Sequence, residues 1–308
     1  MPPEIQTGSD SNRTLTAGAE SAPRWTRTDR KALIVWLAVG WILPGLATFG
    51  VASLIGLDLR AITLTIQNEL LLKGIAAFGV LLATWLAARL QKRPLDDYGI
   101  PPGQAFGRRF WEGAIWGFGT LSLLLLPLYA TRHFRIESAA LHGGAAWSYG
   151  IGWALAFVCV SVSEELTFRG YLLFIVARRA GFWRAAIALS IGFGVAHLFN
   201  MGETVVGILQ VLGTGLLFCF MIRRTGNLWF VLGFHAAWDW AQTFFYGTAD
   251  SGLKSVGYFL NTSTQGPNWL TGGSAGPEGS VFSFAILLVA GLLVHWRFPT
   301  ALYPDRPA

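Results

Sequence analysis

The run Trp147–Ala177, WSYGIGWALAFVCVSVSEELTFRGYLLFIVA, stays uncharged until the adjacent carboxylates Glu164 and Glu165 and then the cation Arg169. A helix crossing a bilayer needs about 20 predominantly apolar residues, and this run is longer than that. Charges inside such a helix are costly and mark a functional site by default. The stretch therefore reads as a membrane helix carrying chemistry, long enough to tilt or to extend beyond the bilayer.

Seven further apolar runs flank it, so that the candidates are 32–56, 70–90, 111–130, 147–177, 183–200, 204–222, 227–247 and 281–298, each bounded by charge, Pro or Gly. The expected fold class is all-α, a polytopic membrane protein of about eight transmembrane helices around an intramembrane active-site cavity. Composition agrees: 53% of the 308 residues are hydrophobic and 13% charged, against roughly 25% charged in soluble proteins. The 23 Lys and Arg exceed the 17 Asp and Glu, but they sit in short clusters between apolar runs, as membrane-flanking charge does. The expected surroundings are a lipid bilayer and not nucleic acid. Cys159 and Cys219 fall within spans and form neither a disulfide framework nor a zinc cluster.

With the N-terminus inside, 17 Lys and Arg flank the cytoplasmic span ends, among them Arg89, Lys92, Arg93, Arg108, Arg109, Arg178, Arg179, Arg223, Arg224 and Arg297. The opposite side holds four: Arg60, Arg132, Arg135 and Lys254. This positive-inside bias places both termini in the cytoplasm, which an even number of spans permits. Arginine outnumbers lysine more than fourfold, a bias of GC-rich genomes that suggests a bacterial plasma membrane. Residues 1–30 read as a disordered cytoplasmic arm, 31–298 as the transmembrane helical domain with its catalytic motifs in 147–247, and 299–308 as a cytoplasmic tail. The glycine- and proline-rich stretch 248–280 reads as a long irregular outer loop.

The ionisable residues singled out inside spans are Glu164, Glu165, Arg169, His197, His235 and Asp239. Counted at about 1.5 Å per residue, Glu164 lies roughly 21 Å from Arg178, His197 roughly 20 Å from Arg184 and Asp239 roughly 22 Å from Arg224. A common depth on three helices argues for one joint site. Glu165 and Arg169, four apart, form an ion pair on one helix face. Glu164 points about 100° away and has no partner on its own helix, the setting of a general base. His235 and Asp239 are likewise four apart and share a face of their helix, as do Phe193 and His197; on spacing alone Phe193 is a packing residue. Trp229, Trp238 and Trp240 read most simply as interface and lipid contacts, with a substrate-lining role for Trp238 or Trp240 as the weaker alternative. Gly113-x-x-x-Gly117 and the Gly213–Gly215 pair pack helices either within one chain or between chains.

Three motifs thus occur in order: Glu164-Glu165-Leu166-Thr167-Phe168-Arg169, Phe193-Gly194-Val195-Ala196-His197 and His235-Ala236-Ala237-Trp238-Asp239. The series resembles the E-E-x-x-x-R, F-x-x-x-H and H-x-x-x-(N/D) motifs of the CPBP family, the CAAX proteases and bacteriocin-processing enzymes, also called Abi. The resemblance implies an all-helical membrane fold with a conical cavity opening toward the cytoplasm, and an intramembrane endopeptidase in which activated water attacks a peptide bond. Glu164 would be the base together with His197, His235 and Asp239 would stabilise the oxyanion, and Glu165, Arg169 and Phe193 would support them. Prenyl-protein endopeptidases carry Asn where this chain has Asp239. An ionised Asp cannot donate to an oxyanion, so Asp239 is protonated, orients His235 or ligates a metal.

A divalent metal such as Zn would use the same four residues, Glu164, His197, His235 and Asp239, yet no compact H-E-x-x-H framework is present. The reading favours a glutamate-activated water without a metal. The expected partner is a membrane-anchored protein or peptide substrate: a prenylated C-terminal peptide, a bacteriocin leader and a membrane-anchored regulator all stay open. Two other classes compete, a non-catalytic membrane immunity or scaffold protein and a proton-coupled transporter. The transporter is disfavoured because the two halves show no repeat and the ionisable residues cluster in one.

Overall fold

A computed structural model of the protein describes residues 25–58, 63–200 and 202–303. Arg13, Arg24, Arg60, Arg306 and most of the expected N-terminal arm lie outside the described residues, although the first helix already begins at Arg27. The helices in chain order are α1 (Arg27–Leu37), α2 (Leu43–Leu54), α3 (Ile66–Gln91), α4 (Arg108–Ala130), α5 (Gly143–Arg169), α6 (Tyr171–Ala180), α7 (Phe182–His197), α8 (Val205–Thr225), α9 (Trp229–Trp240), α10 (Asn268–Thr271) and α11 (Phe282–Arg297). One π turn, Ala38–Ile42, joins α1 to α2, and another, Ala241–Phe245, extends α9.

All eight expected spans are present as helical segments, and the fold is an all-α polytopic membrane architecture. Five segments are long and apolar enough to cross a membrane: Arg27–Leu54, Ile66–Gln91, Arg108–Ala130, Gly143–Ala180 and Val205–Thr225. Phe182–His197 and Phe282–Arg297 are shorter apolar helices. Large apolar side chains such as Phe49, Phe78, Ile115, Leu126, Leu288 and Trp296 point outward along them, as lipid-facing residues do.

The helices alternate in direction, so the molecule has two ends. At one lie Lys92, Arg93, Arg108, Arg109, Arg178, Arg179, Arg223, Arg224 and Arg297, tied together by Arg178 and Arg93 on Asp97 and by Arg109 and Arg297 on Glu112. This is the arginine end. Its interior is solid: Trp36 stacks on Tyr171 with ring centroids 5.6 Å apart, Tyr98 meets Tyr171 at 5.2 Å, and Tyr303 closes the layer against Phe174 and Phe182.

The other end carries the connections, and here the irregular loop expected over 248–280 is ordered by pairing. β1 (Thr63–Leu64) runs parallel to β3 (Lys254–Ser255), and β2 (Phe134–Ala139) antiparallel to β4 (Leu260–Thr264) with a bulge between Ile136 and Ser138. No further span lies in this stretch, as expected.

Two local features position the site. At Gly170 α5 stops and α6 begins, with φ −84° and ψ −123°, and a Cβ there would come within 2.6 Å of the Leu166 carbonyl oxygen. The expected span 147–177 is therefore broken, and a depth counted from Arg178 along one continuous helix does not apply to Glu164. The second feature is the parallel packing of α4 on α9. A Cβ on Gly113 would stand 1.9 Å from the Phe230 oxygen, one on Gly117 2.1 Å from the Phe234 oxygen and one on Gly233 1.9 Å from the Phe110 oxygen. The Gly113-x-x-x-Gly117 spacing thus packs helices within the chain and fixes the helix that carries His235 and Asp239.

Candidate active site

Glu165 and Arg169 face each other across the last turn of α5, both fully buried, with Arg169 Nη1 donating to Glu165 Oε1 at 2.8 Å and Oε2 at 2.9 Å. Removing either partner would strand a charge away from water, so the pair is a fixed anchor. The same Oε1 accepts from His235 Nδ1 at 2.8 Å, across 70 residues of sequence. Glu165 is a paired carboxylate and can only accept, so Nδ1 carries the proton and the imidazole orientation is set.

The other nitrogen of that ring does the facing. His235 Nε2 lies 3.2 Å from Asp239 Oδ2 and 4.0 Å from Glu164 Oε2. Nε2 and Oδ2 are within hydrogen-bond reach of each other, so Asp239 and Glu164 face the same nitrogen.

Glu164 has a partner from another helix. Lys73 Nζ on α3 lies 2.8 Å from Glu164 Oε1, and Glu69 stands one turn before Lys73. The carboxylate without a partner on its own helix is therefore held from across the bundle through Oε1, while Oε2 faces His235 Nε2. On α7, His197 Nδ1 donates to the Phe193 carbonyl at 2.9 Å, which leaves Nε2 as an unprotonated acceptor. Phe193 is more than filler: its ring meets His197 edge-on at 4.5 Å and Phe168 at 5.3 Å, and the Arg169 guanidinium lies 4.1 Å over its face. Among the described residues Nε and Nη2 of Arg169 have no hydrogen-bond partner, and the Phe193 ring covers the guanidinium face.

Glu164, Phe193, His197, His235 and Asp239 line one cavity of about 280 Å³, together with Glu69, Lys73, Phe157, Val160 and Phe168. The lining mixes charged groups with apolar ones, among them Phe157, Val160, Phe168 and Phe193. The cavity also reaches Leu64, Asn200, Asp250, Ser251 and Leu253, which belong to the end opposite the arginines. Trp238, read as a lipid contact, is 8% exposed and lines a smaller adjoining cavity of about 50 Å³ with Ser251 and Glu278. Trp229 and Trp240 are likewise tied inward, to the carbonyls of Pro101 and Gly150.

Residues that the sequence reading did not single out complete the site. Lys73 and Glu69 carry a signal it could have used, since a lysine inside the run 70–90 is a functional-site hypothesis on the same ground as Glu164. Asp250, Ser251 and Glu278 come from the outer connection and carry none. Glu278 accepts from the Ser251 amide and, at 3.0 Å, from its hydroxyl; Asp250 accepts from Thr243 Oγ1 at 3.0 Å. Burial, followed by the charge of Glu203, pushes the Glu278 carboxyl up to about 8. Burial, followed by Asp239 and Glu278, holds Asp250 well above the usual carboxylate range.

The donor set does not fit a metal. Both nitrogens of His235 face carboxylates, Nδ1 of His197 is spent on a carbonyl, and a lysine ammonium occupies Glu164. No group of three or more His, Cys, Asp or Glu among the described residues has the arrangement to hold an ion.

Residues 146–241 match the family model described as type II CAAX prenyl endopeptidase, Rce1-like. The match spans about a third of the chain and contains all three motifs, in agreement with the CAAX-protease resemblance. No curated protein and no solved structure matches the chain. At the level of the family, the match supports a CAAX-type intramembrane endopeptidase.

Proposed function

We propose that the protein is an intramembrane endopeptidase that hydrolyses a peptide bond in a membrane-anchored chain, with Glu164 and His197 activating the attacking water. The observation that carries this reading is the meeting of Lys73, Glu164, His197, His235 and Asp239, from four helices, on one cavity that is also lined by apolar side chains. Independent structural contacts would not share a space large enough for a substrate segment.

In this mechanism the water oxygen bonds to the scissile carbonyl carbon while its proton passes to Glu164 Oε2 or His197 Nε2. The carbonyl oxygen becomes an oxyanion, and a proton shared by His235 and Asp239 is its donor. The C–N bond then breaks and the leaving amine takes the proton from the base, so no proton is gained or lost. Lys73 holds Glu164 in place. Glu165 and Arg169 act through His235 and are positioning residues. No step requires a metal.

The test is cleavage of fluorogenic membrane-associated peptides, including a farnesylated C-terminal one, by purified wild type, Glu164→Gln and Glu164→Ala in detergent. A lost general base lowers kcat by about 10²–10⁴-fold, with unchanged chelator sensitivity and unchanged elution on size exclusion. Equal cleavage by all three proteins would sink the reading and favour a non-catalytic scaffold.

A further inference from the structure

The position of the cavity along the helices carries an inference about which side of the membrane the substrate comes from. Glu69 and Lys73 lie in the first two turns of α3, His197 is the last residue of α7, and Asp239 precedes the last residue of α9. All of these helix ends belong to the loop end, and the cavity walls continue there into Asn200 and Ser251, which are hydrogen-bonded to each other at 3.1 Å. Toward the arginine end the way is shut: Trp36, Tyr98, Tyr171, Phe174 and Phe182 are at most 2% exposed and in ring contact, directly or through Tyr303. An aromatic layer packed in this way leaves no passage for a peptide.

The loop end is open in composition as well. A second cavity, of about 400 Å³, lies in the cap beyond the 250–253 segment and is lined with the hydroxyls of Thr248, Ser255, Thr262, Thr264 and Thr271. Among the described residues the cations at this end outside the site are Arg132, Arg135 and Lys254, against fourteen at the other. The positive-inside rule puts the arginine end in the cytoplasm. A cavity opening to the cytoplasm and an arginine end in the cytoplasm therefore exclude each other in this fold.

We propose that the site takes its substrate from the non-cytoplasmic face: a membrane-anchored polypeptide, already exported, whose cleaved segment lies at the outer surface of the bilayer. Cytoplasmic prenylated proteins are then not its substrates. The class of substrate rests on the proteolytic reading above; the side of access rests on geometry and charge alone.

The test uses the full chain in bacterial cells, with Cys159 and Cys219 replaced by alanine and one cysteine restored at a time. Lys254→Cys marks the loop end and Lys92→Cys the arginine end; both side chains are exposed and neither touches the site. A membrane-impermeant maleimide on intact cells should label Lys254→Cys at least tenfold more than Lys92→Cys, with the difference vanishing on lysis. Any other pattern, repeated with a loop-end cysteine at the half-exposed Val256, overturns the proposal. Cleavage in detergent does not depend on sidedness. Glu164-dependent cleavage with reversed labelling would overturn the sidedness alone, whereas correct labelling without cleavage would overturn the protease.

Discussion

At the arginine end, α3, α5, α6 and α8 bury Ala87, Leu166, Tyr171 and Met221 at 0–2% exposure. Toward the loop end, α3, α5, α7 and α9 turn Lys73, Glu164, His197 and Asp239 onto a cavity of about 280 Å³. Alanines and aromatics interdigitate at the first end and leave no void. At the second, charged groups need partners, as Glu164 finds Lys73 on another helix and Asp239 finds His235 on its own, and a lysine, a glutamate, a histidine and an aspartate cannot pack as an apolar layer does. Glu165 and Arg169 sit at the boundary: they belong to the solid half by burial and to the hollow half by the bond to His235. A change in the solid half should cost stability and spare chemistry, and one at the boundary should cost both.

The largest effect is expected at that boundary. Glu165→Gln leaves Arg169 as an unpaired buried charge, which costs about 3–5 kcal/mol, and it weakens the anchor of His235, so kcat falls too. Adding Arg169→Met removes the stranded charge and should recover much of the stability without recovering kcat. Thermal unfolding in detergent and the peptide assay read the two quantities separately. If the double variant regains activity, His235 does not depend on Glu165 for its orientation.

In the solid half the expected effect is smaller and purely structural. Trp36 donates from Nε1 to Thr84 Oγ1 at 3.1 Å, and Trp36→Phe loses that buried bond at a cost of about 1–2 kcal/mol. The unfolding temperature should fall while kcat per folded molecule stays unchanged. A drop in kcat would show that the aromatic layer does more than close the floor of the site.

The sequence shows the solid half and the hollow half unequally. The eight apolar runs mark every span, because lipid demands continuous apolar length whatever the helices pack against. The pairs Glu165–Arg169 and His235–Asp239 are legible because their spacing of four puts both members on one helix face. Lys73–Glu164 and Glu165–His235 are separated by 91 and 70 residues, and no local rule joins them. The break at Gly170 is hidden for another reason: glycine is common in membrane helices, and only the crowding at Leu166 shows that this one ends a helix. The cap strands escape notice because they are short and pair across more than 120 residues, Phe134 with Thr264 and Ala139 with Leu260.

The most gradual effect, spread over several pH units, is expected from Glu278, which belongs to the hollow half but lies outside the spans. Its carboxyl is pushed up to about 8, chiefly by burial, whereas in the unfolded chain it titrates near about 4.3. Between those values the folded state keeps a proton that the unfolded state has released, so stability falls as pH rises through that window. The slope cannot exceed one proton, about 1.4 kcal/mol per pH unit. Glu278→Gln cannot ionise and still accepts from Ser251, so its unfolding temperature should vary less than that of wild type between about pH 5 and 8. Parallel profiles would mean that Glu278 ionises as readily in the folded cap as in water. The loop end would then be wetter than its packing suggests, and the contrast between the two halves sharper still.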